Sequence, residues 1–422
     1  MPQPLSTNPY KGVRDFYPED MAIQRYIFDM WSQTAESFGY QRYDASILEP
    51  AALYKAKGAE NEEMVNEQTY TFTDRGEREV TLRPEMTPTV ARMVAARQRE
   101  LTPPIRWYSI PNLFRYERTQ RGRLREHWQL NCDLFGVDDI AADVEIMTLT
   151  HQLFIDLGAT TEMFEIRVND RRTMQKAYEL LGITDPATIT AITRINDRKH
   201  KIDPEDYLFS LEEIVRDKEL AKEIKCMIET PDPGEHAVVT TLHELGITNV
   251  HLDRSLARGF DYYTGTIFEV FDRHPDGTKR SMLGGGRYDN LTGLFSSTPL
   301  TGIGFGMGDV TMRDFLETHN LMPPSVHTTA PTLTIIPLSP PEHQPAQALA
   351  QQFRAHGIAT SVDFSTRKRD KKFKTAQESG VRYIIIIGPD EIKTATYTLQ
   401  DMYNNTEITG SLRELLSLIN SK

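Results

Sequence analysis

The chain has 422 residues, 39% hydrophobic and 26% charged, with a net charge of −12. That is long enough for two or three domains with real cores, and the composition excludes a collagen-like or wholly disordered chain. The longest aliphatic run, IIII at 384–387, is far short of the ~20 residues of a membrane span, the N-terminus lacks the apolar stretch of a signal peptide, and the acidic balance confines nucleic-acid contact to local basic patches.

Ala22 to Phe38 carries Ile23, Ile27, Phe28, Trp31 and Phe38 at helical spacing, with Gly39 as terminator. Tyr43 to Leu48 is expected to be short and extended. EVTLRPEMTPTVARMVA at 79–95 predicts a strand, a proline-marked turn and a helix from about Thr87. At 105–137 two apolar stretches flank ERTQRGRLREH, which predicts two strands joined by a long basic loop. Thr148 to Leu157 reads as helix and FEIRVND at 164–170 as strand. Residues 171–235 are helix-rich and charged, close on PDPG, and read as an insertion into the main domain. Strands resume at 249–255, at 258–272 (RGFDYYTGTIFEVFD), and in MLGGGRYD and TGIGFGMGDV. ETHNLMPPSVHTTAP at 317–331 suits a domain boundary. Beyond it TLTIIPL, PAQALAQQFRAHG, IATSVDF, TRKRDKKFKTAQESG and RYIIIIG alternate strand and helix, predicting a small α/β domain with a parallel or mixed sheet. Residues 331–422 carry a net +2 against −14 for the rest, so the C-terminal domain is the better candidate for an anionic partner.

Four segments carry chemistry. RGFDYYTGTIFEV at 258–270 sets Arg258 beside Tyr262 and Tyr263; an arginine at the mouth of an aromatic site suits a carboxylate or phosphate, although the same residues also fit an ordinary strand. FRYERTQRGRLREHWQ at 114–129 places Arg115, Arg118, Arg121, Arg123 and Arg125 within eleven residues, with no lysine. That choice favours bidentate phosphate contact over a merely solvated loop. In TGIGFGMGDV, Gly302, Gly304, Gly306 and Gly308 alternate. On a strand they strip one face of side chains while Ile303, Phe305 and Met307 fill the other. A flat ring could then approach the backbone, or a helix could pack there; Asp309 is expected to cap the next helix. In RPEMTPT at 83–89, Glu85 and Thr87 could accept from an amino group, or simply open a helix with a surface charge. Only two cysteines occur, Cys132 and Cys226, and no HExxH. No disulfide framework and no metal-ligating residues are expected, and a reducing cytoplasm is.

Together these motifs resemble the histidyl-tRNA synthetases, a family of class II aminoacyl-tRNA synthetases. KGVRDFYPED at 11–20 is similar to the family's opening motif, residues 22–48 to motif 1, FRYERTQRGRLREHWQLNCDLFG to motif 2, RGFDYYTGTIFEV and GGGRYD to the two histidine signatures, and TGIGFGMGDV to motif 3. The resemblance implies an α+β fold: a class II antiparallel sheet flanked by helices (residues 1–170 and 236–325), a helical insertion (171–235) and a C-terminal α/β anticodon-binding domain (331–422). It implies histidine activation with ATP, Mg2+ carried on the ATP phosphates, transfer to the 3′ end of histidine tRNA, and a homodimer with no membrane partner.

The resemblance also implies roles. Glu85, Thr87 and Gln129 would hold the α-amino group of histidine. Asp133, Tyr262, Tyr263 and Tyr288 would line the imidazole pocket. Arg115 would meet the α-phosphate, Arg123 the distal phosphates, and Glu117, Gly304, Gly306 and Gly308 the rest of ATP. Arg258 would clamp the carboxylate and α-phosphate, making Arg258 and Arg115 the catalytic pair. Arg118, Gln120 and Arg121 would touch tRNA, as would Arg367, Lys368, Lys371 and Lys372 in RKRDKKFK, where six of eight residues are basic. Two positions depart from the family pattern: Thr311 stands where motif 3 carries an arginine, which Arg313, two residues on, replaces poorly, and Ser46 where motif 1 carries a proline. The loss at Thr311 favours a rival reading, a synthetase-like regulatory subunit of ATP phosphoribosyltransferase that senses histidine. The arginine-rich loop, the intact RGFDYYTG and the C-terminal domain oppose it. The two signatures likewise oppose a synthetase for another amino acid.

Overall fold

The computed structural model describes residues 5–56, 68–197, 199, 202–230, 236–257, 262–323 and 330–420. Two compact units emerge, Met1–Val326 and His327–Lys422. In chain order the first begins with α1 (Pro18–Ser37), β1 (Gln41–Arg42), β2 (Leu48–Pro50), α2 (Ala52–Lys55), β3 (Tyr70–Thr73), β4 (Glu79–Leu82) and α3 (Thr87–Ala96). It continues through β5 (Ile105–Ser109), β6 (Asn112–Phe114), β7 (Glu126–Phe135), α4 (Ile140–Asp156) and β8 (Phe164–Asp170). Four helices follow: α5 (Arg171–Leu180), α6 (Pro186–Asp197), α7 (Pro204–Val215) and α8 (Lys218–Glu229). The unit closes with α9 (Ala237–Glu244), β9 (Val250–Leu252), β10 (Thr266–Asp272), β11 (Ser281–Arg287), β12 (Gly302–Gly308) and α10 (Asp309–Thr318).

The central sheet runs β1-β5-β7-β12-β11-β10-β8-β9, with β6 on the free stretch of β7. Only its outer pairs, β1·β5 and β8·β9, are parallel. Period-two alternation gives the sheet two chemically different faces. Leu130, Cys132, Leu134, Leu283, Ile303, Phe305 and Met307 point into a core closed by α1, α4 and α10. Gln129, Asn131 and Asp133 point the other way. α4 begins eight residues before the expected Thr148, because the Asp139 carboxylate caps it by accepting from the Ala141 N–H at 2.8 Å. Among the described residues, strand structure in RGFDYYTGTIFEVFD is confined to β10; Tyr262 to Gly265 form a turn tied to β11, where the Thr264 N–H donates to the Arg287 carbonyl at 2.7 Å.

Helices α5–α8 enclose their own apolar cluster, which includes Met174, Tyr178, Ile192, Tyr207, Leu211 and Ile224. Asp170, Asp203 and Asp217 cap α5, α7 and α8. The second unit contains β13 (Leu333–Pro337), α11 (His343–Ala355), β14 (Thr360–Val362), α12 (Arg369–Glu378), β15 (Tyr383–Ile387), α13 (Pro389–Thr394), β16 (Thr396–Asp401), β17 (Thr406–Ser411) and α14 (Leu412–Asn420). Its mixed sheet runs β14-β13-β15-β16-β17, parallel across the first three strands and antiparallel across the rest.

Candidate active site

Asp133 lies on the outward face of β7 and is 2% exposed. Gly304 of β12 stands directly opposite it. A Cβ on Gly304 would come within 2.5 Å of Asp133 Oδ1 and 2.8 Å of the Tyr288 hydroxyl; one on Gly306 would come within 2.6 Å of Gln129. The alternating glycines therefore do strip a face, as their spacing implies, but the space is taken by Tyr288, Asp133 and Gln129 rather than left bare for a flat ring. Gly308 meets only Thr311 Oγ1, at 3.4 Å.

The Tyr288 hydroxyl donates to Asp133 Oδ1, while Asp133 Oδ2 is buried with no hydrogen-bond partner. Burial pushes the Asp133 carboxyl up to about 7, opposed by the Tyr288 hydrogen bond. Tyr262 packs 4.8 Å from Tyr263 and 5.9 Å from Tyr288, ring to ring, and its hydroxyl donates to Glu85 Oε2 at 3.3 Å. Glu85 is 4% exposed, so it is an inward carboxylate and not the surface charge of a helix start. Thr87 opens α3, but the N-cap is Met86 and no side chain caps it. Arg258 lies outside the described residues.

GGGRYD also works on the core side of the sheet. Arg287 is 3% exposed; its Nε donates to Asp143 Oδ1 at 3.3 Å, and its Nη2 meets Asp143 Oδ2. The same guanidinium donates to the Val137 and Asp139 carbonyls at 3.1 and 3.0 Å. Through these bonds the turn after Asp133 and the strand before Tyr288 are fixed to one cation.

The arginine hairpin starts beside Glu85. Arg115 Nε donates to the Pro84 carbonyl at 2.8 Å, which orients its guanidinium. Arg123 pairs with Glu117 at 2.8 Å. Arg125 lies 3.9 Å over the Tyr116 ring and packs structurally. Arg118 and Gln120 are exposed. Arg121 is tied to Asp314 at 2.9 Å and to the Asp276 carbonyl at 2.9 Å. Gly122, at φ +75°, lies against Thr311, whose Cγ2 is 3.3 Å from where its Cβ would be. Thr311 Oγ1 donates to the Met282 and Gly308 carbonyls, each at 3.1 Å. A small residue at 311 thus seats the hairpin tip, and Arg313 turns away to Asp20 and Glu317. Ser46, the other departure, turns the chain into β2 by accepting from the Leu48 N–H at 3.2 Å.

Asp309 is not a helix cap: α10 has Gly308 as N-cap without a side-chain bond. Buried instead, the Asp309 carboxylate accepts from Arg14 Nη2 at 2.7 Å and from the Trp128 N–H at 2.9 Å. This joins the opening KGVRDF segment to the strand that carries Gln129. His127 sits close by, and burial followed by the charges of Arg115, Arg14 and Arg123 lowers it to about 3, so it is neutral.

In the C-terminal unit α12 starts at Arg369, leaving Arg367 and Lys368 ahead of it. Lys368 and Lys371 are exposed. Arg367 reaches Thr375 Oγ1 at 2.9 Å and Asp363 at 3.3 Å. Lys372 does not belong to the surface patch. It is 4% exposed, and its Nζ donates to the Pro337 and Asp363 carbonyls at 3.0 and 3.1 Å, so it closes the core instead of meeting a phosphate.

A family model described as histidyl-tRNA synthetase matches residues 12–309, and one described as an anticodon-binding domain matches residues 332–422. The chain is 42% identical to the histidine–tRNA ligase of Leptospira biflexa serovar Patoc, with 99% of this chain and 98% of that protein covered. It is 36% identical to the histidine–tRNA ligase of Thermoplasma volcanium, with 97% of each covered. The apo S. aureus histidyl-tRNA synthetase superposes with a TM-score of 0.75 at 25% identity, covering 98% of this chain and all of that one. Matched along its whole length by such relatives, the chain belongs to the histidyl-tRNA synthetase family.

Proposed function

We propose that the protein is a histidine–tRNA ligase: it joins histidine to ATP as histidyl-adenylate, releases pyrophosphate, and transfers the histidyl group to the 3′ end of histidine tRNA. The observation that carries the reading is Asp133, a buried carboxylate with one oxygen satisfied by Tyr288 and one unanswered, ringed by tyrosines. Such a group suits an imidazole N–H, and rejects analogues that would leave it unpaired. Glu85, Thr87 and Gln129 receive the α-amino group, and Tyr262 holds Glu85 in place. The histidine carboxylate then attacks the α-phosphorus as pyrophosphate leaves. Two anions approach in this step, so cations fixed beforehand lower its barrier. Arg115 and Arg258 act on the α-phosphate and Arg123 on the distal phosphates, with Glu117 and the backbone of Gly308 on the rest of ATP; side chains fill the space over Gly304 and Gly306.

Among the described residues no three His, Cys, Asp or Glu side chains are arranged to hold a metal. Mg2+ carried on the phosphates of ATP would supply charge neutralisation to the leaving pyrophosphate. Exposed Arg118, Gln120 and Arg121 serve the acceptor end of tRNA, and Arg367, Lys368 and Lys371 the anticodon arm. We assign residues 1–170 and 236–325 to catalysis, 171–235 to an inserted helical domain and 331–422 to anticodon binding, and the working species to a cytoplasmic homodimer. The regulatory-subunit alternative is not favoured, since relatives matched over the full chain are ligases.

The test is ATP–pyrophosphate exchange with each amino acid, followed by tRNA charging. Exchange with histidine alone is expected. Histidine binding without exchange would return the regulatory reading.

A further inference from the structure

The inserted helices leave the central sheet where β8 ends, beside the turn that carries Tyr262 and Tyr263. Asp170, the last residue of β8, lies opposite Thr266, the first of β10. One residue on, α5 opens, and the Arg171 N–H donates to the Gly265 carbonyl at 3.1 Å. The Arg171 side chain reaches further into the turn: its Nη1 donates to the Tyr263 carbonyl at 3.1 Å. From the other side Thr264 ties the same turn to the end of GGGRYD, its hydroxyl donating to Asp289 Oδ2 at 2.7 Å.

The stretch before the turn is held from the same junction. Asn169 of β8 donates from Nδ2 to the Arg254 and Leu256 carbonyls at 3.2 and 2.9 Å. Ser255, between them, is gripped from inside the insertion. Asn196 of α6 donates to the Ser255 carbonyl at 3.2 Å and accepts from the Tyr207 hydroxyl of α7 at 3.4 Å. Asn169 and Asn196 are both buried. Carbonyls outside helix and strand must find their donors elsewhere; here three in a row find side chains, one of them from the inserted helices. Ser255 and Tyr263 bracket RGFDYY in the sequence. Joining a helical domain to a sheet requires two chain connections and nothing more, yet this one also sends Arg171 and Asn196 back to the backbone on either side of that motif.

We propose that the inserted helical domain positions the histidine-binding turn: Arg171 and Asn196 are positioning residues that fix the backbone on its two sides, so that a shift of α5 or α6 moves Tyr262 and Tyr263. The inference rests on reading this site as the one that activates histidine. Tyr262 carries the consequence, since its hydroxyl meets Glu85 at 3.3 Å and a small displacement of the turn breaks that contact.

The test compares wild type, Arg171→Met, Arg171→Lys and Asn196→Ala in ATP–pyrophosphate exchange, titrating histidine and ATP separately. Arg171→Met is expected to lose roughly ten- to a hundred-fold in kcat/KM for histidine, the scale of a misplaced binding group, while the KM for ATP stays put. Arg171→Lys keeps a donor for the Tyr263 carbonyl and should recover most of the loss. Asn196→Ala frees the Ser255 carbonyl and should cost histidine roughly three- to ten-fold, the size of one net hydrogen bond, again without moving the KM for ATP. Should Arg171→Met fail to fold, Asn196→Ala decides alone. Losses shared equally between histidine and ATP would make these residues mere packing and overturn the proposal, as would an Arg171→Lys no better than Arg171→Met. A wild type without histidine-dependent exchange would remove the functional reading and the inference with it; intact wild-type exchange with indifferent Arg171→Met and Asn196→Ala removes the inference alone.

Discussion

Asp133 and Asp143 lie on opposite faces of the same sheet, each almost fully buried, and their surroundings answer them differently. Asp143, on the helix-covered side, meets a guanidinium and is fully paired. Asp133, on the glycine-lined side, meets one hydroxyl and keeps one oxygen unpaired. Both carboxylates would be expensive to bury alone. The paired one ties α4 to the sheet, and the half-paired one is, on the proposed reading, the group that meets the substrate.

The largest effect that could break the contrast is on the paired side. Arg287→Met leaves Asp143 without its cation and should destabilise the full chain by about 3–5 kcal/mol, read from denaturant unfolding; adding Asp143→Leu should recover most of it. If Arg287→Met is neutral, the pair is not structural. Next comes Arg258→Ala, for which we expect a loss of about 10²–10³ in histidine-dependent exchange with an unchanged unfolding midpoint; near-normal exchange would take it out of the mechanism. Asp133→Asn should reduce kcat/KM for histidine by about 10–100-fold. Burial holds the Asp133 carboxyl at about 7, so it ionises, and becomes a full acceptor, as pH rises through neutrality. Histidine binding should tighten in that direction, and the asparagine variant should keep only the step due to the substrate's own imidazole. The smallest effect is in the second unit. Exposed Lys371→Glu should lower tRNA charging by about five-fold or less and spare exchange, whereas Lys372→Met should shift unfolding of the C-terminal unit first.

The motif-bearing elements were legible because each motif is continuous in sequence: the glycine alternation names a strand and its two faces, and RPEMTPT names a turn into a helix. What remained hidden depends on partners far away. Tyr43 sits in a short segment with no periodicity, and its place in the fold comes from the ring of Trp107, 5.5 Å away. Lys372 falls in a run of cations that looks uniform, yet helix geometry turns that one position inward. Asp309 has the spacing of a cap, but Arg14, 295 residues upstream, claims its carboxylate. The β16–β17 hairpin and α14 lie beyond RYIIIIG, where the alternation of strand and helix gives way to an antiparallel pair.

The pairing of β7 with β12 has a consequence for how the protein is made. Gln129 and Asp133 leave the ribosome about 170 residues before the glycines that flank them, with the α5–α8 helices in between. Until β12 arrives, β7 is an open edge with a burying face and an acidic side chain exposed. Long-range pairings of this kind close late, so the nascent chain carries Asp133 on an unfinished sheet while some 170 further residues are made. Arg14 must wait as well, since its carboxylate partner is the residue immediately after that last central strand. The surroundings of Asp133 and the Arg14–Asp309 pair are therefore completed together, by the docking of β12.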